Sequence, residues 1–159
     1  MSEVPDGVQL SARARGAPRP TATMTLTRDG PNGVEVLLGR RSKTMRAFPN
    51  YWAFPGGGVS SVDQAAVEAL SQLAGPEAAS IACIMREMSE ELGLAASGDG
   101  AIAVDPEARA AIVEDKKRWL PLALEGSFPV ERERIRTLSH RITPPVSYTH
   151  LTLPTISRV

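Results

Sequence analysis

Three glutamates, Glu87, Glu90 and Glu91, crowd the run Arg86-Glu87-Met88-Ser89-Glu90-Glu91-Leu92-Gly93-Leu94. On a helix, the i, i+3 and i+4 relation stacks these carboxylates on one face, where like charges repel by about 0.2–0.5 kcal/mol per pair. A hard divalent cation would offset that repulsion. Mg²⁺ takes oxygen ligands and is usually held by one or two carboxylates together with substrate phosphates. Met88 and Leu92 fall on another side of the helix, suited to a core. Gly93 suits the position just past a helix end, where a positive φ is common. An E-x-x-E-E helix on its own is more often a solvated surface, so a metal-binding reading needs support from elsewhere in the chain.

That support lies upstream, in Phe54-Pro55-Gly56-Gly57 and in Asp63, six residues after Gly57. Together these residues resemble the box of the Nudix hydrolase family, G-x5-E-x7-R-E-U-x-E-E-x-G-U, with U an apolar residue. Arg86, Glu87, Met88, Glu90, Glu91, Gly93 and Leu94 fill its second half without a mismatch. Gly57 supplies the first glycine, and Asp63 stands where the first glutamate belongs. The spacing departs from the pattern: 22 residues separate Asp63 from Arg86, where the family has seven. The box is therefore split. Gln64 to Ala74 carries Ala65, Ala66, Val67, Leu70 and Leu73 in a helical pattern, and Gly75-Pro76 punctuates it, with Pro favoured in the first turn of the next helix. The excess reads as an extra helix packed ahead of the carboxylate helix. Closure entropy grows slowly with loop length, so the glycine loop and the carboxylate helix can still meet.

The resemblance implies an α+β chain of the Nudix fold, an α/β/α sandwich around a mixed β-sheet, that hydrolyses a nucleoside diphosphate linked to another moiety. It implies Glu87, Glu90 and Glu91 as ligands for Mg²⁺ or Mn²⁺, and Glu90, Glu91 and Arg86 as the catalytic residues. Glu90 or Glu91 is the candidate general base, Arg86 orients a neighbouring carboxylate, and Gly57 lends backbone to the site. The chemistry suits the residues. Metal ions lower the pKa of water and neutralise charge on the attacking and leaving groups of an in-line displacement, and glycine lets backbone approach a phosphate without a side chain in the way.

A second resemblance narrows the substrate. Leu37-Leu38-Gly39-Arg40-Arg41-Ser42, Arg46 and Phe54-Pro55-Gly56-Gly57 resemble L-L-T-x-R-S-x3-R-x3-G-x3-F-P-G-G, the signature of the coenzyme A diphosphatase branch. Gly39 replaces the threonine and Asn50 replaces the glycine. Asn also tolerates the left-handed conformation, so the turn can survive. The split box, and Leu138-Ser139-His140-Arg141-Ile142-Thr143-Pro144-Pro145 downstream, are similar to peroxisomal-type members of that branch. Coenzyme A or an acyl derivative is then the expected substrate, with Arg41, Arg46, Gly56 and Gly57 binding it; Arg is the preferred phosphate binder. The plain alternative for Arg41 and Arg46 is surface ion pairing. Three rival readings stand beside this one: a Nudix hydrolase of ADP-ribose, nucleotide sugars or nucleoside triphosphates, a non-catalytic nucleotide-binding fragment, and a charged structural helix with no ligand.

Composition sets the remaining bounds. A chain of 159 residues suits one domain. Its 18 basic and 18 acidic residues cancel, and at 4% aromatic content it offers few stacking platforms, so nucleic acid is not an expected partner. No apolar run approaches a membrane span and no signal-peptide core is present. The expected partner is a small-molecule nucleotide-diphosphate substrate, with the oligomeric state open between monomer and homodimer. Cys83, a lone cysteine, fits a reducing cytoplasm, and its apolar neighbours Ile81 to Met85 mark it as a buried structural thiol. His140 has no partner ligand at a metal-binding spacing and reads as a surface residue. Trp52 is expected to pack under the glycine loop, with base stacking the lesser alternative, and Trp119 is expected in the core.

The elements that must position these residues follow in order. Residues 1–19 read as a flexible basic N-terminal segment, 20–145 as an incomplete Nudix hydrolase domain, and 146–159 as a tail foreign to the rest. That tail has no acidic residue, is rich in Thr, Ser and Leu, and resembles a translated adapter artefact. The resemblance then implies further strands and a closing helix after Pro145, and a sheet here left with an exposed edge. Thr21 to Thr27 and Val34 to Leu38 read as a hairpin joined by Asp29-Gly30-Pro31-Asn32-Gly33. The glycine loop and two helices follow, then a polar loop at Ser97-Gly98-Asp99-Gly100. A helical pattern covers Pro106 to Leu124, and Val130 to Leu138 is a short charged helix candidate.

Overall fold

The computed structural model describes residues 19–45, 48–97 and 100–140. The basic segment up to residue 18, Arg46 and the tail 146–159 lie outside them. Six strands come first: β1 (Thr21–Thr23), β2 (Thr27–Gly30), β3 (Gly33–Val36), β4 (Gly39–Arg40), β5 (Trp52–Ala53) and β6 (Gly56–Gly58). Helix α1 (Ser61–Ala69) and helix α2 (Ala78–Glu87) follow, and α2 runs into a π-helical turn at Met88–Leu92. The chain continues through β7 (Leu94–Ser97), β8 (Gly100–Ala103), α3 (Pro106–Glu114), a 3-10 turn (Lys116–Arg118), α4 (Trp119–Leu124) and a second 3-10 turn (Arg132–Arg134).

The expected hairpin is present as β2 and β3, in register from Thr27↔Val36 to Gly30↔Gly33. Its first strand is not continuous, however. Thr21–Thr23 leaves the hairpin and pairs antiparallel with β6, so the expected glycine loop is itself a strand. Absent side chains allow this close approach: a Cβ on Gly56 would lie 2.3 Å from the Ala22 carbonyl oxygen, and Gly56 holds φ +145°. Among the described residues the strands form four two-stranded antiparallel pairs, so the α+β content matches expectation while the mixed pairing does not. A parallel pair needs a long crossover. The helical excursion after β6 leads instead to β7, which folds straight back onto β8.

Helix α1 starts at Ser61, earlier than Gln64, and ends at Ala69 rather than Ala74, yet Leu70 and Leu73 beyond its end stay buried. Pro76 precedes α2 in a turn instead of opening its first turn. Helix α2 is apolar on two sides, the pattern of a buried helix. Ile81, Ala82 and Met85 join Ala66, Leu70, Leu73, Ile112, Trp119 and Phe128 in the larger core, while Ile84 and Met88 join Met24 and Ala96 in a second cluster. Each such Ile or Met contributes about 1.5–3 kcal/mol relative to exposure. Trp119 is in the core as expected, its ring 6.1 Å from that of Phe128. The third side of α2 faces β6.

Four expectations need correction. The helical stretch from Pro106 breaks at Asp115, whose carboxylate accepts from the Lys117 N–H at 3.0 Å and so starts the 3-10 turn. Val130–Leu138 holds one 3-10 turn instead of a helix, because so short and charged a segment cannot offset helix nucleation; its Ile135 packs on both apolar clusters. Ser97 and Gly100, expected in a polar loop, are instead the last residue of β7 and the first of β8 and pair with each other. Trp52 does not pack under the glycine strand. It is 64% exposed, held opposite Arg40 across the β4–β5 pair, with the guanidinium 5.9 Å from the ring centre. No helix of the described residues is long and apolar enough to cross a membrane.

Candidate active site

Arg86, on the β6 side of α2, is only 2% exposed. A buried guanidinium demands acceptors on every edge, and the chain supplies them. Nε donates to Asp63 Oδ1 at 2.8 Å and Nη2 to Asp63 Oδ2 at 3.3 Å. Nη1 lies 2.8 Å from Glu87 Oε1 and 3.2 Å from Glu90 Oε2, and Nη2 reaches the Gly58 carbonyl at 3.4 Å. One cation thus gathers three carboxylates and the edge of β6.

Asp63 is fully buried in the first turn of α1. Its Oδ2 also accepts from the Ser60 N–H at 2.7 Å and the Ser60 hydroxyl at 2.9 Å. Ser60-Ser61-Val62-Asp63 is a capping-box spacing, so the carboxylate that caps α1 is the one that meets Arg86. Helix α1 packs against α2, and the long excursion between Asp63 and Arg86 closes on itself.

The glycine strand meets the carboxylate helix directly. The Gly56 N–H donates to Glu91 Oε2 at 3.1 Å. A Cβ on Gly57 would sit 2.1 Å from Glu87 Oε1, so only glycine leaves room for that carboxylate. After Glu87 the helix widens into the π turn, a feature frequent at functional sites, and ends at Gly93 with φ +66°. There Arg109 donates from Nε to the Glu90 carbonyl at 3.3 Å and from Nη2 to the Glu91 carbonyl at 2.9 Å.

Electrostatics follow from this crowding. Burial raises the Glu87 pKa, the charges of Glu90 and Glu91 add to the rise, and Arg86 opposes it. Burial pulls the Arg86 pKa down, but the Asp63 hydrogen bond and the Asp63 and Glu87 charges outweigh it, so Arg86 is held above its ordinary value. The Cys83 thiol is pushed up to about 12, by burial first and by the Asp63 charge second. It donates to the Gly57 carbonyl at 3.7 Å. A thiol so hard to ionise is structural, not nucleophilic.

The donor set is all oxygen, which suits a hard cation. Among the described residues no three His, Cys, Asp or Glu side chains form a ready cage. Glu87 and Glu90 are turned to Arg86, and Glu91 to the Gly56 amide. Mg²⁺ keeps several waters and needs one or two carboxylates, so Glu87, Glu90 and Glu91 fit such an ion without enclosing it.

Of the expected substrate-binding residues, Gly56 and Gly57 lie against the carboxylates, and Arg46 is outside the described residues. Arg41 is half-buried beside β4; its N–H donates to the Tyr51 carbonyl at 2.9 Å and its carbonyl accepts from Asn50 at 3.2 Å. Asn50 takes φ 67°, the left-handed turn that its residue type allows. Two residues escaped the sequence reading. Ser60 had a signal, the S-x-x-D spacing. Arg109 had none, since no spacing rule links it to a helix 18 residues upstream.

The family model described as NUDIX domain matches residues 17–106. The crystal structure of a NUDIX hydrolase from Alicyclobacillus acidocaldarius is similar at a TM-score of 0.56 and 25% identity, over 72% of this chain and 57% of that one. The chain thus spans less than two thirds of the solved structure it matches. No protein of curated function matches it in sequence.

Proposed function

The chain belongs to the NUDIX family, and on that premise we propose that it is a metal-dependent hydrolase of the diphosphate linkage in coenzyme A or an acyl-CoA. The observation that carries this reading is the meeting of β6 with the carboxylate helix, Gly56 N–H on Glu91 and Gly57 against Glu87, despite the long excursion between Asp63 and Arg86. The activity belongs to the domain of residues 20–145, in which the family box is split by α1 and still closed by the Asp63–Arg86 pair.

In this reading Glu87, Glu90 and Glu91 hold Mg²⁺ or Mn²⁺, which when bound lowers the pKa of water and neutralises phosphoryl charge. The chain's own residues do the rest. Gly56 and Gly57 bring bare backbone to the diphosphate, and Arg86 holds Glu87 and Glu90 in place. Glu90, or Glu91 beside it, takes the proton of the water that attacks phosphorus. The bridging P–O bond breaks, and two phosphate monoesters leave. Arg41 supplies charge to the substrate phosphates, which the β4–β5 pair supports by linking its strand to the segment that runs into Phe54 and Gly56.

Product analysis tests the reading. With saturating Mg²⁺ or Mn²⁺, coenzyme A should yield 3′,5′-ADP and a phosphopantetheine product, and Glu90→Gln should fall to background. AMP released from ADP-ribose, with coenzyme A untouched, would move the assignment to the ADP-ribose branch. Equal, near-background turnover by the chain and its Glu90→Gln variant would leave a nucleotide-binding fragment.

A further inference from the structure

We propose that Arg109 is a positioning residue for the carboxylate face, fixing the backbone of Glu90 and Glu91 so that the Glu91 side chain meets the Gly56 amide and that of Glu90 meets Arg86; this rests on the metal-binding reading above. Arg109 lies outside the residues that match the family. It reaches the site from a separate helix.

Both ends of the contact are anchored. On the α3 side, the Asp105 carboxylate accepts from the Glu107 and Ala108 N–H groups at 3.0 and 3.1 Å, and the Arg109 N–H donates to the Asp105 carbonyl at 2.9 Å. On the other side, the Val104 N–H donates to the Gly93 carbonyl at 2.8 Å. The first turn of α3 is therefore tied to the turn that ends the carboxylate helix. Helix ends leave carbonyls without helical partners, and here Arg109 takes those of Glu90 and Glu91 themselves. A Cβ at Gly93 would lie 2.9 Å from Arg109 Cδ, so the glycine both turns the chain and clears the path of the arginine stem. With its carbonyl held, Glu91 extends to the Gly56 amide.

Charge and position give opposite signs, which makes the idea testable. By Coulomb's law alone, removing a cation beside an acidic cluster tightens divalent binding. If Arg109 acts by position, removing it loosens binding. The experiment is a Mn²⁺ titration of the chain, Arg109→Met and Arg109→Lys, with the melting temperature and the hydrogen-exchange protection of the Gly56 amide measured without metal. Arg109→Met should bind Mn²⁺ about tenfold more weakly, as loss of an outer-shell partner commonly does, and lose Gly56 protection. Arg109→Lys should recover part of both. Wild-type binding with Arg109→Met equal or tighter overturns this inference alone. No saturable binding by the wild-type chain overturns both it and the functional reading. Should Arg109→Met fail to fold, Arg109→Lys decides: lowered affinity at an unchanged melting temperature supports the inference, and wild-type affinity with wild-type Gly56 protection overturns it.

Discussion

Replacing Asp63 with alanine removes the acceptor of two hydrogen bonds donated by the buried Arg86 guanidinium and strands the Ser60 N–H and hydroxyl. Breaking a buried pair by removing one partner costs about 3–5 kcal/mol, within a total stability of about 5–15 kcal/mol. Arg86 keeps Glu87 and Glu90, which holds the cost to about 3 kcal/mol, the low end of that range. At about 4 °C per kcal/mol for a domain of this size, the melting temperature should drop by about 12 °C. Urea unfolding of the wild type, Asp63→Ala, Arg86→Met and the double variant completes a cycle. The double variant should lose less than the sum of the singles, by about 2 kcal/mol. The coupling should persist in 1 M NaCl, because a pair 0% and 2% exposed is screened far less than a surface pair. A coupling below about 0.5 kcal/mol, or one erased by salt, is the behaviour of an exposed ion pair and would refute the closure of the excursion between the two residues.

Two further tests are direct. Gly57→Ala should drive the Glu87 carboxylate off β6 and weaken Mn²⁺ binding by about tenfold, or 1.4 kcal/mol. A Cβ on Gly58 meets nothing within 4 Å, so Gly58→Ala should bind as wild type and change stability by no more than about 0.5 kcal/mol; equal affinities for the two variants would show that Glu87 is not held against the strand. The Cys83 thiol should resist iodoacetamide at pH 8 in the folded chain and react once urea unfolds it. Its pKa rises from 9.0 unperturbed to about 12 folded, so between those values the unfolded chain has lost a proton that the folded chain keeps, and stability should fall as pH rises through that window. Rapid alkylation of the native chain would contradict the burial of Cys83.

Some of the site was legible because the relevant physics is local. Three carboxylates on one face follow from helical spacing, and the stop at Gly93 and the left-handed turn at Asn50 follow from torsional preference. Trp52 was misread for a complementary reason. An aromatic residue near a glycine strand is a fair core candidate by type, but strand pairing with Arg40 decides which way it faces. The helix expected at Val130–Leu138 failed for another reason: Val130 and Ile135 do pack on the core, but so short and charged a run cannot offset helix nucleation.

The residue order alone determined that a carboxylate helix would exist, where it would end, and that Cys83 would sit in an apolar run. Only the tertiary structure decided that Thr21–Thr23 would desert its hairpin for the glycine strand, that Asp63 would both cap α1 and pair with Arg86, and that Arg109 would clamp the far end of the site. The physical reason is range. Periodicity and φ preference act over a few residues and can be read one window at a time. Which donor reaches which acceptor across tens of residues depends on how α1 and α3 pack around α2 and the π turn, and no single window contains that.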